Sequence, residues 1–188
     1  MLPNWREVVV SLYGAWRLTH MDARGHGFFD ATPDGARRSF FAAVLVAPLY
    51  ALMLAAVLPA DAPADPVRFL LVEGIGYVTT WVAYPVVVEG LSRHLGCRPR
   101  FEGYLVAYNW SMVLQYAVIV PISILTGTGV IPPELGRFVW LVAFSLILAY
   151  LWFIARSALT VPPVTAAGFV LLDVLLSALI DGIAAGMA

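Results

Sequence analysis

The sequence predicts an all-α integral membrane protein: a bundle of five transmembrane helices preceded by an amphipathic, interfacial N-terminal helix. Two observations carry this. Of the 188 residues, 61% are hydrophobic and only 12% are charged, with a mean hydropathy of +0.85. A soluble domain is about 45–50% apolar and about 25% charged, and must cover its surface with polar groups. The second observation is five long, nearly uncharged stretches. Each approaches the ~20 residues that cross ~30 Å of hydrocarbon.

The elements follow in order. Asn4-Trp5-Arg6-Glu7 reads as a capping box, with Asn4 accepting from first-turn amides and Glu7 reaching back. Trp5, Val9, Leu12 and Trp16 recur at helical spacing, while Arg6, Arg17 and His20 lie toward another side. That segregation over Asn4–Thr19 suits a helix lying on the membrane surface. Val8–Tyr13 is too short an apolar run, too closely flanked by charge, for a cleavable signal peptide. Gly25, Gly27 and Pro33 make 21–33 a loop. The chain therefore divides into an N-terminal segment, 1–38, and a five-helix transmembrane domain, 39–188.

The first span covers Ser39–Leu58, with Ala43, Ala47, Ala51 and Ala55 in a row that permits close helix approach. The Pro-rich Pro59–Pro66 ends it, because proline cannot continue a helix. The second span, Val67–Leu91, holds Glu73 and Glu89. A basic loop with Arg93, His94, Arg98 and Arg100 leads to the third, Gly103–Leu125. Gly127–Pro133 turns the chain into the fourth, Arg137–Leu159, and Val161-Pro162-Pro163 into the fifth, Val164–Gly186. Pro48, Pro85 and Pro121 fall inside three spans. Such breaks mark binding sites in some transporters and are ordinary kinks in other membrane helices.

Arginine bias sets the orientation. With the N-terminus inside, nine arginines are cytoplasmic and two, Arg68 and Arg137, lie across the membrane. The expectation is a multi-pass protein of the cell inner membrane, with the N-terminus cytoplasmic and the C-terminus on the opposite side.

Charge and motifs narrow the chemistry. With 11 basic and 12 acidic residues there is no basic excess of the kind that binds nucleic acid. The single cysteine, Cys97, forms no internal disulfide; Arg98 and Arg100 beside it could lower its pKa, but a structural thiol is the preferred reading. His20, Asp22 and His26 match no standard zinc spacing. No nucleophile elbow, HExxH, P-loop or GxGxxG stands out. The expectation is a protein that is not an enzyme and needs no cofactor or metal.

Intramembrane polar residues remain. Asp173 lies near the middle of the fifth span, where an Asp costs about 2.5–3.5 kcal/mol on insertion scales. Asp173, Ser177 and Asp181 form an i, i+4, i+8 stripe, which points that face into the bundle. Glu73, Tyr77, Thr80 and Tyr84 stripe the second span. The third offers Tyr104, Tyr108, Ser111 and Gln115 on one side, and Asn109, Tyr116 and Ser123 on another. Such residues build either a polar cleft or ion path, or interhelical hydrogen bonds that fix helix pairing. Arg156 is the one candidate cation for Asp173, and it can snorkel to the surface.

Phe28-Phe29-Asp30 before the first span, Glu102-Gly103-Tyr104 opening the third, and Tyr150–Val161 (YLWFIARSALTV) followed by Ala166–Leu176 (AAGFVLLDVLL) carry a family likeness. In these the chain resembles bacterial members of the Yip family of small membrane proteins. The resemblance implies five helices, a cytosolic N-terminus and a role in membrane organisation, trafficking or transport. It supplies no catalytic residues. The Gly/Tyr/Pro motifs of the eukaryotic branch are absent, so no Rab-type partner is carried over. The leading expectation is a non-enzymatic protein that binds or organises other membrane components, as a subunit of a larger complex or by self-association. Its partners are the lipid bilayer and other membrane proteins, not nucleic acid. The competing expectation is a small transporter or channel using Asp173 and Glu73.

Overall fold

The computed structural model describes residues 2–57 and 65–187, and every regular element among them is helical. Five helices are long and apolar enough to cross a membrane. In chain order the elements are α1 (Trp5–Thr19), a 3-10 turn (Ala23–Phe28), α2 (Pro33–Ser39), α3 (Phe41–Val57), α4 (Pro66–His94), α5 (Phe101–Gly127), α6 (Pro133–Leu159) and α7 (Pro163–Met187). A second 3-10 turn, Arg98–Arg100, leads into α5. The first span-length unit joins α2 to α3 and runs Pro33–Ala56.

Most helix ends lie a few residues beyond the expected ones. Residues 59–64 of the expected Pro-rich loop, and Leu58 of the first span, lie outside the described residues. Asp65 of that loop caps α4 by accepting from the amides of Val67 and Arg68, both at 3.1 Å, and Pro66, the loop's expected last residue, opens α4. Pro48, Pro85 and Pro121 sit within continuous α3, α4 and α5.

The N-terminal segment departs most from expectation. Residues 21–33 are not an open loop. They hold the 3-10 turn, started by Asp22 accepting from the Arg24 amide, and lead into α2, capped by Thr32. Half of the capping box forms: Asn4 Oδ1 accepts from the Glu7 amide at 2.8 Å. The Glu7 carboxylate instead accepts from Arg38, at 2.8 and 3.0 Å, and Arg38 also donates to Asp30 at 2.6 Å. The long-range pair outcompetes the local reach-back because a bond between two charged groups is stronger than one to a neutral amide; Arg38 Nε serves Glu7 and its Nη2 serves Asp30.

α1 does not float beside the bundle. Val8, Ser11, Ala15 and Leu18 are buried on one face, and α1 packs on the 3-10 turn, α5 and α6. Trp5 and Trp16 are 76% and 55% exposed on the other side, with Val9 and Tyr13. Leu12, expected in that outer row, turns inward and packs on the core. Thus α1 has an inner apolar face against protein and an outer aromatic face free for the bilayer.

The N-terminal segment, α1 to α2, forms a collar packed on α5. The 27 residues of α5 make a rod of about 40 Å at 1.5 Å per residue, longer than ~30 Å of hydrocarbon. Phe101 and the run Tyr104–Ser111 are buried along its first part. α1, α2, α3 and α6 all pack on α5. The N-terminal segment covers side chains that would otherwise be open at this end of the bundle. Gly14 and Gly25 let α1 and the 3-10 turn approach closely: a Cβ at Gly14 would meet Gly25 O at 2.9 Å, and one at Gly25 would meet Gly14 O at 2.7 Å.

Polar clasps tie the collar down. Tyr150 Oη donates to Ala15 O at 2.9 Å. His26 Nε2 pairs with Ser157 Oγ at 2.8 Å. The Ser157 hydroxyl donates to Phe153 O at 2.6 Å, so His26 is the donor. At the same end Glu89 accepts from Arg93 and Arg98, and Arg98 reaches Glu102.

Candidate functional site

The polar stripes meet in two places, not one. The deeper is a tyrosine cluster between α4, α5 and α7. Tyr108 Oη donates to Asp173 Oδ1 at 2.7 Å. Tyr84 Oη lies 2.5 Å from Tyr104 Oη and 3.2 Å from Phe169 O. Tyr84 donates to that carbonyl, so Tyr104 donates to Tyr84. The Tyr84 and Tyr108 rings lie 4.6 Å apart between centroids. All three tyrosines are buried, and Asp173 is 9% exposed.

This geometry follows from spacing. Tyr104 and Tyr108 lie one turn apart on α5, and Phe169 and Asp173 one turn apart on α7, so the two rows run side by side. Asp173 faces protein, as its insertion cost requires. No ion pair reaches it among the described residues. Arg156 is exposed and sits over the Trp152 ring at 5.2 Å, at the collar end of α6. Its stem carries the charge out of the bundle.

The second place lies toward the other end, where α3 and α4 meet. Tyr50 Oη donates to Glu73 Oε2 at 2.5 Å, and Tyr77 Oη donates to Ala43 O at 2.6 Å. The Tyr50 and Tyr77 rings stack at 5.0 Å. Asp181 is exposed on α7, within electrostatic range of Tyr50, Tyr116 and Glu73. Beside Glu73 opens a cavity of about 780 Å³, reached also by Ser123, Thr126, Arg137 and Trp140. Tyr50 and Arg137 were absent from the sequence-based candidates. A single Tyr in an uncharged span and an Arg at a helix start carry no periodic signal.

The remaining candidates scatter. Thr80 donates to Gly76 O within its own helix, at 3.0 Å. Asn109 is fully buried and donates to Ser39 Oγ at 2.8 Å, joining α5 to α2; its Oδ1 has no partner among the described residues. Gln115 donates to Ser111 Oγ at 3.0 Å within α5 and borders a second, apolar cavity of about 590 Å³ between the end of α1, α5 and α6. Ser177 is half-buried, one turn beyond Asp173. Of the nine candidates, Asp173 and Tyr84 share the buried cluster and Glu73 lines the first cavity; Tyr77 and Asn109 bond across helices, Thr80 and Gln115 bond within their own, and Asp181, expected to face into the bundle, is exposed.

The loop groups do not assemble a metal site. Asp22 pairs with Arg24 and Arg17, which hold its carboxyl well below the usual range. His26 is turned to Ser157, and no metal-ligand cluster occurs among the described residues. Cys97 is buried, and burial pushes its thiol up despite Arg100 nearby.

No family model, curated protein or solved structure matches this chain.

Proposed function

We propose that this chain is a non-enzymatic multi-pass protein of the inner membrane that binds or organises other membrane components. The observation that carries the reading is the burial of the deep polar cluster. Tyr108 donates to one oxygen of Asp173, Tyr104 to Tyr84, and Tyr84 to a backbone carbonyl, with all four side chains buried. Groups that pair off this way fix helix packing. A conducting path would leave carboxylates open to a water-filled route. The Yip-like features point the same way, and the arginine count favours a cytoplasmic N-terminus. The competing reading, a small transporter, draws on the cavity beside Glu73.

The outward rows of α4 and α7, such as Leu70, Ile75, Leu171 and Leu175, are exposed and apolar. They face lipid or another membrane protein. A photo-reactive residue at Leu175 in intact membranes tests this. The reading expects a discrete protein adduct; lipid adducts alone would count against it. Orientation is tested with a C-terminal reporter active only in the cytoplasm, which should stay silent.

A further inference from the structure

The cavity of about 780 Å³ between α3, α4, α5 and α6 combines apolar walls with two opposite charges. Phe69, Ile122, Trp140 and Leu141 line it with hydrocarbon, and Glu73 and Arg137 reach it from α4 and α6. The two charges are set differently. Glu73 is half-buried and held by the Tyr50 hydroxyl on one oxygen. Arg137 has its side chain 73% exposed and only a long contact, 3.3 Å, to Glu134. An ionised carboxylate offers about four lone-pair sites, and Tyr50 fills one of them. The remainder suit a compact donor-rich cation, and the rim guanidinium suits a phosphate.

We infer that this cavity is a binding site for one aminophospholipid, in the leaflet opposite the N-terminal collar. The primary ammonium lies against Glu73, the phosphodiester against Arg137, and the acyl chains against the α5 and α6 walls. An anionic headgroup with no amine leaves Glu73 without a cation and brings phosphate charge toward a carboxylate. A trimethylated headgroup brings a cation with no N–H to donate. A water-soluble amine gains nothing from the apolar wall, which is what selects a lipid. The site stands whether or not the bundle has a protein partner.

Native mass spectrometry of the purified full chain tests it. The chain is exposed to phosphatidylethanolamine, phosphatidylglycerol and phosphatidylcholine with identical acyl chains. One phosphatidylethanolamine should be retained about tenfold over either competitor, as a charge-assisted hydrogen bond is strong enough to provide. Free phosphoethanolamine should not displace it. Glu73→Gln should abolish the preference, and Arg137→Gln should lower retention of all three lipids. Because Glu73→Gln also alters the Tyr50 contact and could impair folding, a photo-reactive phosphatidylethanolamine is applied to the wild-type chain. Its adducts should map to 122–141. Equal retention of the three lipids, an intact preference in folded Glu73→Gln, or adducts confined to the α1–α5–α6 cavity would each overturn the proposal.

Discussion

Asp173 and Tyr108 set the energetics at the scale of single residues. Their 2.7 Å bond joins α5 to α7 where both side chains are buried. Intramembrane hydrogen bonds are worth about 0.6 kcal/mol on average and up to about 1.7, so the bond tunes helix pairing and does not create it. Asp173→Asn keeps an acceptor for Tyr108 and should be near neutral in thermal unfolding in detergent. Asp173→Leu strands the Tyr108 hydroxyl and should cost about 1–2 kcal/mol. In a Tyr108→Phe background the same Leu substitution should cost much less, because both partners are then apolar. Equal costs in the two backgrounds would mean the bond contributes nothing. That Asp173 turns inward was legible from its depth and its stripe. That its partner is Tyr108, and not another of the polar side chains on α4 and α5, was not legible. Partner choice depends on the rotation of each helix, which composition does not fix.

At the scale of elements, the collar makes two predictions. Gly14→Val places a side chain where Gly25 O and Phe28 Cβ already lie at 2.9 and 3.0 Å from a Cβ. Overpacking of this kind costs about 1–3 kcal/mol. It should release α1, so that a spin label at Trp16 gains mobility while α5 and α6 stay folded; unchanged mobility would argue against close docking. His26 provides the pH dependence. Burial pushes its imidazole below the usual range, so the docked collar holds it neutral. Released, it titrates near about 6.5. Docking is then at full strength above that pH and weakens as pH falls below it, since the released state takes up the proton more readily. Hydrogen exchange across 23–28 should accelerate on acidification, and His26→Gln should flatten the response. The helix itself was legible from the Asn4 cap and the Trp spacing. Its second, inner face was not. Val8, Ser11, Ala15 and Leu18 mix small and polar residues with large ones, which weakens the periodic signal.

For the whole molecule, the five spans were written in the sequence as long uncharged runs, and their interruptions by proline left the helices continuous. The division of the polar groups was not. Stripes on three helices look alike whether they converge on a path or pair off, and the difference lies in side-chain contacts across helices. The buried Asp173 accepts from one tyrosine hydroxyl, and Glu73 stands at the wall of a separate cavity. On the proposed reading the bundle organises other membrane components and does not conduct. Proton flux in reconstituted vesicles tests it most directly, with a pH-sensitive dye inside, an imposed pH gradient and a potassium diffusion potential. Wild type and Asp173→Asn should both match protein-free vesicles. Flux through the wild-type protein that a folded Asp173→Asn abolishes would contradict the account.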